Sequence, residues 1–183
     1  NNTVRGLLKS SNISPADIYA HQWALIIGIN QYKDFPQLKY AVEDAKSMKT
    51  LLSTQYGFPD ENIFLLLDED ATKIKIEDAF YNLSENAGPD DAVIVFFAGH
   101  GETETLGIEG GDMGFLIPAD GDAEDLYFTA IPMDELRRIS NWSKAKHMLF
   151  LVDACYGGLT LATTRGLKKD ITPAYLKKMT SER

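Results

Sequence analysis

The sequence predicts an α/β fold, a mainly parallel central sheet covered by helices on both faces, and three observations carry that expectation. Four short apolar runs, "WALIIGI" (Trp23 to Ile29), "NIFLLL" (Asn62 to Leu67), "AVIVFFA" (Ala92 to Ala98) and "HMLFLV" (His147 to Val152), show no polar alternation, as suits strands buried on both faces. Helical patterns lie between them. Alternating strand and helix then imply parallel pairing through right-handed crossovers.

From Leu38 to Tyr56 the apolar positions Leu38, Ala41, Val42, Ala45, Met48, Leu51 and Leu52 recur at spacings of three and four, and Gly57 stops the helix. A second stripe, Ile74, Ile76, Ala79, Phe80, Leu83 and Ala87, closes at Gly88 and Pro89. A third helix begins at Pro132, a residue suited to a first turn, with Asp134 and Glu135 near the positive end of the dipole. The stretch from Glu102 to Leu126 is rich in Gly and Asp and reads as a long loop whose one regular feature is a small hairpin at "GFLIP". Beyond Tyr156 the periodicity is lost, so a flexible arm is expected with at most one short helix, around Ala174 to Met179. The resulting division is an N-terminal extension (1–21), one domain (22–162) and a C-terminal arm (163–183).

With 44% hydrophobic and 25% charged residues, the 183-residue chain has room for one domain with a substantial core. The net charge of -9 argues against a nucleic-acid partner, which would require clustered Lys and Arg. No apolar run approaches the ~20 residues of a membrane helix, and "NNTVRGLLKS" lacks the apolar core of a signal peptide. The single cysteine, Cys155, forms no internal disulfide and no thiolate metal cluster. A cytoplasmic protein without membrane partner or metal site is the expectation.

That cysteine follows the fourth apolar run in "FLVDACYGG", and His100 follows the third in "FAGHGE". Open parallel sheets build their sites outside the carboxyl ends of their strands. If the two strands are neighbours, about 4.8 Å apart, the imidazole and the thiol emerge side by side. A free thiol titrates near ~8.5, and an adjacent imidazole that takes its proton makes it a nucleophile. The imidazolium then protonates a leaving amine. The backbone amides of Gly101 and Cys155 are the candidate donors to a tetrahedral oxyanion.

A lone cysteine after an apolar strand is usually core filler, and a lone histidine is usually a satisfied hydrogen-bonder. Here both are expected at strand ends, both have glycines close by in sequence, and the strands are expected to be adjacent. His21 and His147 share neither feature and read as structural. The loop "GINQYKDF" lacks the clustered glycines and lysine arrangement of a phosphate loop, and "GDMGFLIPADGD" lacks the spacing and terminal Glu of an EF-hand.

Taken together, "ALIIGINQYKDFPQLKYAVEDAKSM", "FAGHGE", "FLIPADGD" and "FLVDACYGG" resemble the large-subunit region of the caspase-like cysteine peptidases, above all metacaspases and their bacterial relatives. The resemblance covers Gln22 to Leu161, and the histidine precedes the cysteine by roughly 50 residues, as in caspases. It implies a caspase-like three-layer α/β/α fold and a cysteine endopeptidase with a Cys155–His100 dyad. Caspases that cut after aspartate hold it with arginines in the first loop and beside the cysteine. Here "NQYKDFPQL" has no arginine and Tyr156 follows Cys155.

By resemblance Asp44 and Asp153 would line a pocket for a basic P1 residue, Arg better than Lys. Their plainer roles would be a solvated helix charge and a turn cap. Arg165, Lys168, Lys169 and Arg183 become candidate autocleavage points in a linker to a small subunit from the same precursor, and a chain ending in Arg183 is what such cleavage would leave.

Metacaspases frequently need calcium. Here Pro132 and Met133 replace part of the family's acidic cluster, and Ala162 stands where calcium-dependent members are often acidic. No cofactor is therefore expected to be required, and calcium is disfavoured. The competing readings are a catalytically silent scaffold, which predicts loss of the dyad, and a non-peptidase thiol hydrolase or transferase.

Overall fold

The computed structural model describes residues 18–105 and 112–156, with Cys155 and Tyr156 described by their backbone alone. Strand β1 (Gln22–Gly28) lies between β2 (Ile63–Leu67) and β3 (Ala92–Thr105), parallel to both. Strand β6 (His147–Tyr156) pairs with β3, again in parallel, from Ala92↔His147 to Gly101↔Tyr156. The expected mixed α/β architecture with a mainly parallel sheet is what the chain adopts.

One expectation is corrected. Strand β3 does not end at Ala98 but runs on to Thr105, where β4 (Asp112–Leu116) joins it antiparallel and β5 (Ile131–Pro132) joins β4. Part of the expected loop from Glu102 to Leu126 is therefore sheet. The extension "ETET" carries threonines at alternate positions, a strand pattern easily overlooked because its polar residues at 103 to 105 are exposed. Ile29 N–H donates to the Ala98 carbonyl and Ile117 N–H to the His100 carbonyl, 3.1 and 3.0 Å. Carbonyls two residues apart face one edge of a strand, so β4 continues the sheet where β1 stops.

Helix α1 (Ala41–Gln55) covers one face, where Ala41, Ala45 and Leu52 pack with Ala24, Ile26, Phe96 and Ala98. Helices α2 (Lys73–Asn86) and α4 (Met133–Trp142) cover the other through Ile76, Phe80, Leu83, Leu136 and Ile139, against Leu25, Ile27, Val95 and Phe97. A short α3 (Leu126–Thr129), capped by Asp125, joins β4 to β5. The helical stripes are narrower than expected, because Ile74 is 67% exposed and Leu51 43%. Burial on both faces holds for β1 but not for β6, whose Leu149 is 52% exposed. Among the described residues, β3 is the only strand that β6 pairs with.

Gly28 permits the close approach of α1. A Cβ there would lie 2.5 Å from the Ala45 Cβ and 2.6 Å from the Ala41 carbonyl oxygen, so any side chain would push helix and sheet apart. Among the described residues, no helix is long and apolar enough to cross a membrane.

At the opposite end of the strands, Asp91 gathers the chain. Its buried carboxylate accepts from the Gly88 amide (2.8 Å), the His21 amide (2.9 Å) and the Trp23 indole (3.1 Å), and pairs with the His21 ring at 3.1 Å. Burial alone would raise its carboxyl, but the hydrogen bonds outweigh burial and hold it below the usual carboxylate range. A depressed folded-state value contributes stability above the ordinary carboxyl range of about 4 and loses it as pH falls through the folded value. Asp91→Asn is thus expected to cost about 1–3 kcal/mol near neutral pH. Its melting temperature should converge with the parent's as the solution is acidified, and thermal melts across that range check it.

Candidate active site

The site is built on β3 and β6, just beyond the carboxyl end of β1. In the β3–β6 ladder the Cα of His100 is paired with that of Cys155, and Ala98 with Asp153. The two residues singled out by their glycine neighbours thus occupy directly opposed positions on adjacent parallel strands. Neither strand stops there: His100 lies within β3, and Cys155 is the penultimate residue of β6.

The loop after β1 holds the imidazole. His100 Nε2 lies 2.8 Å from the Pro36 carbonyl oxygen. A carbonyl only accepts, so Nε2 carries a proton, and in the neutral ring the lone pair is on Nδ1. The ring packs against Tyr32 and Phe35, at centroid distances of 4.8 and 5.9 Å. The His100 amide donates to the Tyr32 hydroxyl at 2.9 Å. Burial drives that hydroxyl's titration far upward, against the lowering effect of the His100 amide, so the phenol stays neutral.

Gly99 makes room for this contact. A Cβ there would sit 2.5 Å from the Tyr32 oxygen. The glycine before the histidine therefore serves the phenol, a role its sequence position does not disclose. Gly101 is buried, and strand alternation turns its main-chain groups toward β6, the edge opposite the one His100 shows to Ile117. Glu102 is buried too, and burial raises its carboxyl, partly offset by the Thr103 amide.

Asp44 sits exposed in the first turn of α1 beside Glu43, where both acids suit the helix dipole. Asp153 is exposed near the end of β6. Its partner Ala98 belongs to the α1-facing cluster, as does Leu151, so alternation places Asp153 on the α1 side of the sheet, the side that carries Asp44. Among the described residues neither carboxylate forms an ion pair. Arg165, Lys168, Lys169, Arg183 and Ala162 lie outside the described residues.

His21 and His147 hold structural contacts at the opposite end of the strand pair that carries His100 and Cys155, His21 with Asp91 and His147 with Tyr19 at 3.1 Å. Sequence reasoning missed Tyr32, Pro36 and Gln37, whose roles depend on a loop folding back over β3. The only signal for them was the aromatic and proline content of "QYKDFPQ".

A mainly parallel sheet between helices, with a glycine-flanked histidine opposite a cysteine on adjacent parallel strands, has the layout of a caspase-like domain. The sequence profile described as Caspase domain (Peptidase_C14) matches residues 21–181, and the chain belongs to that family. It is 29% identical over 163 residues to Metacaspase-1 of Eremothecium gossypii, covering 80% of this chain and 35% of that protein. It is 30% identical over 172 residues to Metacaspase-1A of Aspergillus oryzae, with shares of 80% and 38%. Metacaspase-6 of Arabidopsis thaliana is 39% identical over 83 residues, 43% of this chain and 23% of that protein. The chain thus spans little more than a third of the first two relatives. The crystal structure of protein GSU0716 from Geobacter sulfurreducens shares the fold, with a TM-score of 0.62 at 20% identity, over 80% of this chain and 55% of that one.

Proposed function

We propose that the chain is the large-subunit region of a cysteine endopeptidase that cuts proteins after a basic P1 residue, arginine before lysine. The observation that carries this reading is the pairing of His100 with Cys155 across adjacent parallel strands. In the reaction, His100 Nδ1 takes the Cys155 proton and the thiolate adds to the scissile carbonyl. The imidazolium then gives that proton to the departing amine, leaving a thioester that water hydrolyses.

The bond from Nε2 to Pro36 supports the tautomer this needs. The oxyanion would be received by the amides of Gly101 and Cys155. Because the ladder now runs to Gly101↔Tyr156, substrate enters by parting its final rungs. Asp44 and Asp153, on one side of the sheet, supply negative charge for a P1 guanidinium.

The outer edge of β6 suits further strands. Leu149 is exposed and Phe150, Leu151 and Val152 are only half-buried, so an added strand would cover apolar surface and pair an edge that no other strand among the described residues occupies. We assign that place to the small-subunit region of the same precursor, released by autoprocessing at one of Arg165, Lys168, Lys169 or Arg183. No step requires a metal.

The test is hydrolysis of fluorogenic peptides differing only at P1 (Arg, Lys or Asp) by the full-length protein, with and without chelator. Arg should exceed Lys, Asp should be inert, and the chelator should change nothing. Cleavage after Asp would sink the acidic pocket, and loss of activity restored by calcium would sink the metal-free reading.

A further inference from the structure

We propose that Asp68 is a positioning residue for His100, acting through the loop that carries Tyr32 and Pro36, with Gln37 closing the same loop; this rests on the dyad reading above. Asp68 directly follows β2 and is the one non-glycine residue with positive φ, 44°, among the described residues. That conformation costs a residue with a Cβ and is best tolerated by Asp and Asn. Here it aims the carboxylate at the start of the loop. Asp68 Oδ1 accepts from the amides of Asn30 and Gln31, 2.7 and 2.9 Å.

From those amides the loop runs directly into the contacts that hold the imidazole. Gln37 clasps Tyr32 from the far side: its Oε1 accepts the Tyr32 amide (3.3 Å) and its Nε2 donates to the Tyr32 carbonyl (2.9 Å). The loop is also stitched to its surroundings, Lys33 N–H to the Ala119 carbonyl and Leu38 N–H to the Asn30 carbonyl, 3.0 and 2.8 Å. Within this brace stand the Tyr32 hydroxyl, which receives the His100 amide, and the Pro36 carbonyl, which receives Nε2–H. Burial is the main reason the Tyr32 hydroxyl stays neutral, and the negative charge of Asp68 adds to it. An acid that touches neither substrate nor dyad therefore fixes which ring nitrogen keeps the lone pair. Released from the brace, the ring would sample the other tautomer and lose its aim at Cys155.

Three variants of the full-length protein separate the carboxylate from the backbone. Asp68→Gly accepts the left-handed conformation without strain but removes the acceptor. Asp68→Asn keeps an acceptor oxygen and tolerates the conformation, and Gln37→Ala opens the clasp from an exposed position. We expect Asp68→Gly and Gln37→Ala to lower kcat roughly 10- to 100-fold with KM little changed, the scale of a displaced catalytic group. Nitrogen-15 spectra of the histidines should show the single Nε2–H tautomer of His100 replaced by a mixture. Asp68→Asn should recover most of the rate and the single tautomer.

Wild-type kcat and tautomer in Asp68→Gly would overturn the proposal. If that variant does not fold by thermal melt, Gln37→Ala decides alone, and unchanged kcat and tautomer there would overturn it equally. Failure of the dyad reading is distinct: it appears as unchanged kcat in His100→Ala.

Discussion

Cys155→Ala in the full-length protein is expected to abolish cleavage of arginine peptides, with a loss on the order of 10³- to 10⁶-fold in kcat, and His100→Ala is expected to fall into the same range. The double variant should be no worse than the poorer single one, because nucleophile and base act as a unit and each is idle without the other. Peptide binding should persist in Cys155→Ala, since the proposed pocket acids are separate from the thiol. Active-site titration with a thiol-directed inhibitor, alongside initial rates, gives the measurement. A Cys155→Ala protein that still cleaves would remove Cys155 as the nucleophile and the dyad with it, whereas an inert parent that binds peptides would favour a scaffold.

The second large effect concerns the acids. Asp153→Asn should lower kcat/KM for arginine peptides by roughly 10- to 100-fold, the equivalent of about 1.5–3 kcal/mol for a hydrogen bond to a charged group. Peptides with an uncharged P1 of similar length should be affected much less. Asp44→Asn separates two roles. If Asp44 serves only the α1 dipole, the melting temperature drops slightly and arginine specificity is kept. If it faces the guanidinium, specificity falls as it does for Asp153. Paired P1 peptides with both variants decide, and equal losses on charged and uncharged peptides would argue against an acidic pocket.

Much of the fold was legible because its parallel strands are short apolar runs with nothing to compete with that reading. The order of β1, β2, β3 and β6, and the helices between them, followed from periodicity. The β3 extension escaped because "ETET" is polar, and its pairing with Asp112 to Leu116 is decided by tertiary contact rather than local preference. Ile74 was assigned to the core on spacing alone, and it lies just off the face that α2 turns to the sheet.

At the site, His100 and Cys155 stood out because glycines follow strand-like runs. The supports of His100 did not, because Pro36 acts through a carbonyl and Gly99 through an absent Cβ, and neither feature is written in a side chain. Asp68 looked like one acid among three in "DED". Its distinction is a backbone angle.

The register of β3 with β6 also has a temporal side. His100 and Cys155 come from segments roughly 50 residues apart, and their pairing closes a loop whose entropy must be overcome before the rung exists. In a growing chain β6 is, among the described residues, the last parallel strand to emerge, after the β1–β3 platform it docks on. On the proposed dyad, the thiol has no base until that docking is complete, so a partly made or partly opened domain carries a nucleophile without its activator. Proteolytic competence would then report that β6 has docked on β3.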